Sequence, residues 1–139
     1  YHQRVTGVDI SSDSFPKGRG LPDGVRIRCI RKDAARLDFV RDRTMDAVVT
    51  MWALHEMKRP RAILAEVLRI LRPGGEVLIV DFPRDSLAQE LWNENYYYPE
   101  KVERMLMKSG FAEVRAKVIE RGQVMWITGS GPSQECPGQ

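Results

Sequence analysis

Cysteine and histidine are both scarce in this sequence, with two of each. Cys29 sits in an apolar-rich run and Cys136 in a Gly/Pro tail, so no disulfide framework is expected and a reducing cytoplasmic setting fits. Neither His2 nor His55 falls in a cluster with zinc-ligand spacing, so no metal site is expected. No apolar run approaches the roughly 18 residues of a membrane span. The first residues, Tyr1-His2-Gln3-Arg4, lack an initiator Met and the apolar core of a signal peptide, and the reading is that upstream sequence is missing. Charge of one sign is also in short supply. The net charge is +3, and the basic residues are scattered and mostly Arg, which describes a solvated surface rather than a nucleic-acid partner.

What is present suits one α/β domain. The 139 residues can bury a real core but are few for a complete α/β enzyme, and the 42% hydrophobic and 29% charged fractions are ordinary for a soluble protein. Residues 5–10, 25–30, 46–51 and 76–81 read as strands. The second alternates apolar and charged residues, and Asp46 to Met51 is an unbroken run typical of a strand covered on both faces. Pro60 opens the clearest helix, with Ile63, Leu64, Val67, Leu68 and Leu71 on one face and Pro73-Gly74-Gly75 as its stop. A second helix starts near Pro99, buries Val102, Met105 and Leu106, and ends at Ser109-Gly110.

Residues 113–120 and 124–128 read as a closing hairpin turned at Arg121-Gly122. From Gly129 onward the chain is rich in Gly, Pro, Ser and Gln, so the domain is set at 1–129 and a flexible tail at 130–139. Alternating strands and helices followed by a hairpin predict a mostly parallel sheet with an antiparallel edge. Such sheets bind ligands at the C-terminal ends of their strands, here Asp9, Asp33, Met51 to Trp52, and Asp81 to Phe82.

Four segments in register carry a resemblance. They are Val8-Asp9-Ile10-Ser11, then Lys32 to Phe39, then Met45 to Val49 leading to Leu54-His55, then Leu68-Arg69-Ile70-Leu71-Arg72-Pro73-Gly74-Gly75. Together they resemble successive motifs of the small-molecule class I S-adenosylmethionine-dependent methyltransferases, from that family's second strand to its seventh. The resemblance implies a Rossmann-like fold, S-adenosylmethionine as cofactor and a small-molecule acceptor. Asp9 would accept hydrogen bonds from the ribose hydroxyls, with Ile10 against the adenine face; an N-cap for a following helix is the other reading of Asp9. Asp33-Ala34 would meet the adenine edge, or else form a surface turn. Met51 and Trp52 would hold the methionine part, or else be plain core. His55 is the weak candidate for a catalytic base, with a packing or capping role as the alternative. The aromatic residues Trp92, Tyr96, Tyr97 and Tyr98 would help cover the acceptor, or pack on the sheet.

The family's first strand, with its G-x-G-x-G turn, has no counterpart in the sequence. Gly18-Arg19-Gly20 and Gly129-Ser130-Gly131 lack the strand–turn–helix setting such a turn needs. Without it the sheet should expose Val5, Val8, Val48 and Val49, and either pair its second strand directly with its fourth or self-associate into a homodimer. Two functions stay open from sequence: methyl transfer, or a non-catalytic, degenerate methyltransferase-like module needing a partner or the missing segment. A dehydrogenase is disfavoured by the Leu-Arg-Pro-Gly-Gly stop and the hairpin.

Overall fold

A computed structural model describes residues 3–13, 15–16 and 20–133. Tyr1, His2, Gly18, Arg19, Cys136 and the rest of 134–139 lie outside the described residues, and with them parts of the first Gly-x-Gly triplet and of the expected tail.

The strands are β1 (Gln3–Asp9), β2 (Val25–Arg31), β3 (Met45–Met51), β4 (Leu71–Asp81), β5 (Ala112–Ile119) and β6 (Val124–Ser130). The helices are α1 (Pro60–Ile70), α2 (Leu87–Trp92) and α3 (Pro99–Ser109), with short 3-10 turns at Leu54–Glu56 and Glu120–Gly122. β1 pairs in parallel with β2. In a second sheet of order β3-β4-β6-β5, β3 is parallel to β4 and the last two strands are antiparallel. This is the mostly parallel α/β arrangement with a closing antiparallel hairpin that the sequence predicts.

Two expectations need correction. The four parallel strands do not form one sheet, and β1 does not pair with β3: each bonds only to its outer neighbour. No further strand among the described residues bonds to β1, or to the free edge of β3. β3 is also not covered on both faces. Val49 and Met51 are 56% and 55% exposed, because nothing among the described residues lies over the face they share. Val5 is exposed as expected, while Val8 and Val48 are half-buried.

The core lies on the second sheet. Ile63, Leu64 and Val67 recur at helical spacing on α1, and Val102 and Leu106 do so on α3; both sets are buried with Val77, Ile79, Met125 and Ile127 of the sheet. Burying each such side chain stabilises the fold by about 1.5–3 kcal/mol. α3 closes on Gly110, which takes φ 104 so that the amides of Gly110 and Phe111 reach the carbonyls of Met107 and Leu106. α1 stops earlier than expected, at Ile70, because Leu71 already turns extended and buries its side chain in β4. At Gly75 a Cβ would sit 2.9 Å from the Arg72 carbonyl oxygen, and its own carbonyl accepts from the Gly131 amide at 2.8 Å. The chain therefore stays bonded to the sheet at Ser130 and Gly131.

A side-chain clamp joins the exit of β2 to α1. Glu66 accepts from the Leu37 amide (2.7 Å) and pairs with Arg69. The Arg69 guanidinium in turn donates to the carbonyls of Leu37 and Val40 and pairs with Asp42.

Candidate functional site

The strand ends form two groups of chemistry-bearing residues. At the end of β1 and β2, the Lys32 amide donates to the Asp9 carbonyl (2.9 Å) and the Arg31 side chain donates to the Ile10 carbonyl (3.1 Å). The fold thus brings Asp9 and Ile10 beside the turn that carries Asp33 and Ala34. Asp9 accepts from the Ser11 amide at 3.0 Å, the local bond of a capping turn, although no helix follows it among the described residues. Ile10 is 71% exposed, an apolar side chain held open to solvent beside a carboxylate.

Asp33 accepts from the Ala35 amide (2.8 Å) and from Arg59 (3.1 Å). Those two bonds, the amide first, hold its carboxyl below the usual aspartate range. Lys32 is paired with Asp38, so that loop acid is engaged within its own turn.

At the end of β3 and β4, Trp52 is held at φ 56, a left-handed conformation rare for a bulky residue, while its amide donates to the Val80 carbonyl at 2.8 Å. Six other non-glycine residues among those described, Arg43, Asp85, Asn93, Glu113, Glu120 and Arg121, also take positive φ, so the backbone at Trp52 does not by itself mark a site. The Trp52 ring stacks on Phe82 at 4.6 Å, and Phe82 also meets Trp92 and Tyr96. Met51 and Trp52 are 55% and 40% exposed, so neither is a core side chain.

Next to this aromatic wall lies a polar network that sequence reading largely missed. Asp81 is fully buried and accepts from the amides of His55 (3.0 Å) and Phe82 (2.8 Å). Its carboxylate oxygens also lie 3.0 Å from His55 Nδ1. On the other side of the ring, His55 Nε2 lies 2.8 Å from Glu94 and 3.9 Å from Glu56. Tyr96 donates to Glu94 at 3.2 Å, and burial, then that acidic partner, raise its phenol above the usual range.

Carboxylates only accept, and an imidazole with one N–H can donate to one side only. The arrangement therefore has a place for one further proton or cation at Nε2. His55, Glu56 and Glu94 also present ligand atoms within 4.8 Å of one another, a grouping that could hold a metal ion and that no spacing in the sequence announces. The partners of His55 lie 26 and 39 residues away. The one available signal was Asp81 itself, an acid ending a buried strand.

The residues of both groups fit the cofactor that the sequence implies. Carboxylates stand at the ends of β1 and β2, exposed apolar side chains stand at Ile10 and Met51, and an aromatic wall follows β3. The two groups lie at the strand ends of separate sheets.

Comparison with known proteins gives matches of the same kind. A family model described as "Methyltransferase domain" matches residues 1–79. A phosphatidylethanolamine N-methyltransferase of Cereibacter sphaeroides is 35% identical over 87 residues, which is 59% of this chain and 42% of that protein. A demethylmenaquinone methyltransferase of Renibacterium salmoninarum is 34% identical over 85 residues, 60% of this chain and 34% of that protein. The chain thus spans less than half the length of these curated relatives. Among solved structures, the Haloferax volcanii complex of the Trm112 methyltransferase activator with a putative methyltransferase superposes with a TM-score of 0.78. It has 16% identity and covers 94% of this chain and 72% of that one, a likeness of fold. No helix among the described residues is long and apolar enough to cross a membrane.

Proposed function

The chain belongs to the methyltransferase domain family, and on that premise we propose that it takes part in methyl transfer from S-adenosylmethionine to a small-molecule acceptor in the cytoplasm. The observation that carries this reading is the placement of Asp9, Ile10, Asp33, Ala34, Met51 and Trp52 at the C-terminal ends of β1, β2 and β3, where open α/β sheets bind ligands. The curated relatives act, by their names, on a lipid amine and on a quinone precursor.

In this reading Asp9 accepts hydrogen bonds from the ribose hydroxyls, and Ile10 covers one face of the adenine. Asp33 and the Ala34 amide meet the adenine edge. Met51 and Trp52 hold the methionine part, with Trp52 kept in its unusual backbone conformation so that its ring faces Phe82. When bound, the cofactor supplies an electrophilic methyl group. Orientation of the acceptor then supplies much of the rate. His55, steered by buried Asp81, stands on the acceptor side, where its Nε2 can take a proton.

The test is label transfer from methyl-tritiated S-adenosylmethionine into phosphatidylethanolamine, demethylmenaquinol and small thiols. Label in an acceptor that is lost with Asp9→Ala supports the reading. Label transfer indifferent to Asp9 overturns the site assignment.

A further inference from the structure

A cavity of about 240 Å³ opens beside His55 and is lined by Arg84, Asn95, Tyr96, Tyr97 and Lys101 among others. Surplus charge of both signs meets there. Behind His55, which lines the cavity, Asp81, Glu94 and Glu56 surround a single imidazole. Arg84 and Lys101 also line it, Arg84 lying 5.4 Å over the Tyr98 ring and Lys101 5.3 Å over Tyr97. Neither cation has a carboxylate partner among the described residues. The aromatic rings hold these side chains in place without using their N–H donors.

We propose that this cavity binds an amphoteric amine, with its ammonium group at Glu94 and His55 and a phosphate-class anion at Arg84 and Lys101. The proposal rests on the methyl-transfer reading for its consequence, since it names the acceptor class, but the binding itself stands on the cavity. An ammonium hydrogen bonding to Glu94 supplies the extra cation that the carboxylates around His55 can accept. Each methyl group would add to the lone pair of the amine once its proton has passed to Glu94 or His55, and the Tyr96 ring, which lines the cavity 4.5 Å from the His55 ring, attracts the alkylated cation that results. A neutral quinol would leave Arg84 and Lys101 without an anion. The volume is below the roughly 300–1,000 Å³ of drug-sized sites, which suits a headgroup. The anion is either a free phosphate monoester or the phosphodiester of a lipid.

Calorimetric titration of the 139-residue chain, in EDTA, with O-phosphoethanolamine, ethanolamine and inorganic phosphate tests the site. O-phosphoethanolamine should bind at least about tenfold more tightly than either half, the loss expected for one charge-assisted contact. Glu94→Gln should weaken O-phosphoethanolamine by a similar factor and leave phosphate unchanged. Lys101→Met should weaken both phosphate-bearing probes and spare ethanolamine. Far-UV circular dichroism confirms that each variant is folded.

Flotation with phosphatidylcholine vesicles, with and without phosphatidylethanolamine, separates the sources. Glu94-dependent capture of the phosphatidylethanolamine vesicles alone, without affinity for the soluble probe, assigns the lipid headgroup and supports the proposal. Binding of the soluble probe assigns the free monoester and supports it equally. Binding of neither, or binding indifferent to both substitutions, overturns it. S-adenosylhomocysteine is titrated separately by amide NMR, which registers weak binding, so a failure of the cofactor reading shows in that titration alone.

Discussion

The clamp between Glu66, Arg69 and the Leu37–Asp42 segment gives the most quantitative expectation. Glu66→Ala removes the 2.7 Å acceptor of the Leu37 amide and two contacts to Arg69. Leu37 is 5% exposed, so its amide has little access to water once the carboxylate is gone. A hydrogen bond to a charged group is worth about 1.5–3 kcal/mol, and an exposed ion pair about 0.2–1 kcal/mol. The side chains of Glu66 and Arg69 are 21% and 29% exposed, so solvent partly screens the ion pair, which adds to the amide bond. The expected loss is about 2 kcal/mol at pH 7, at the lower end of the range for such bonds.

The loss also depends on pH. Arg69 first, and the Leu37 amide after it, hold the Glu66 carboxyl below the usual glutamate range. A carboxyl lowered in the folded state stabilises the protein fully above its unfolded pKa of about 4.3, and that contribution disappears as pH falls through the folded value. Urea unfolding followed by far-UV circular dichroism, from pH 7 to pH 3, should show wild type and Glu66→Ala converging as acid is added. A gap under about 0.5 kcal/mol at pH 7, below the least a bond to a charged group contributes, would refute the reasoning. So would a gap that stays constant down to pH 3.

Three further expectations concern the site and its frame. In a chain extended upstream by the family's first strand and G-x-G-x-G turn, Asp9→Ala should weaken S-adenosylhomocysteine binding by about 1.5–3 kcal/mol in calorimetry, with little change in urea midpoint; unchanged affinity would leave Asp9 as the local cap of Ser11. Asp81→Asn leaves the His55 ring and the amides of His55 and Phe82 competing for one amide oxygen, and should cost about 1.5–3 kcal/mol in urea unfolding; a neutral result would mean that the buried carboxylate does not organise the site. Gly75→Ala should destabilise by about 1–3 kcal/mol, because the new Cβ would meet the Arg72 carbonyl at 2.9 Å and the Asp46 carbonyl at 3.1 Å, and a stability scan showing no loss would place that crowding in doubt.

Much of the frame was legible because its signals are local. The apolar face of α1, the Pro99 start and Gly110 stop of α3, and the alternation in β2 are set by neighbours within a few residues, and the structure shows them within a residue or two of expectation. α2 gave no such signal: Leu87, Leu91 and Trp92 are exposed and only Ala88 is buried, so no apolar stripe marks it. The exposed face of β3 was misread because a run such as Ala47-Val48-Val49 looks the same whether one face is covered or both. The Asp81–His55–Glu94 network depends on contacts between distant segments, and sequence spacing carries no trace of them. The split between β1–β2 and β3–β4 has the same origin. Each strand was readable singly, whereas its pairing depends on what lies beside it.

The central claim is that the ends of β1, β2 and β3 form a cofactor site. Its most direct test is a two-dimensional amide NMR titration of the 139-residue chain with S-adenosylhomocysteine, which registers weak binding as well as tight. With no G-x-G-x-G turn in the sequence to bring backbone amides against the ligand, the affinity should be weaker than low-micromolar. The resonances that move should be those of Asp9, Ile10, Asp33, Ala34, Met51, Trp52 and their immediate neighbours. Saturable binding that moves other residues and leaves these still, or no movement of any resonance at millimolar ligand, would contradict the account.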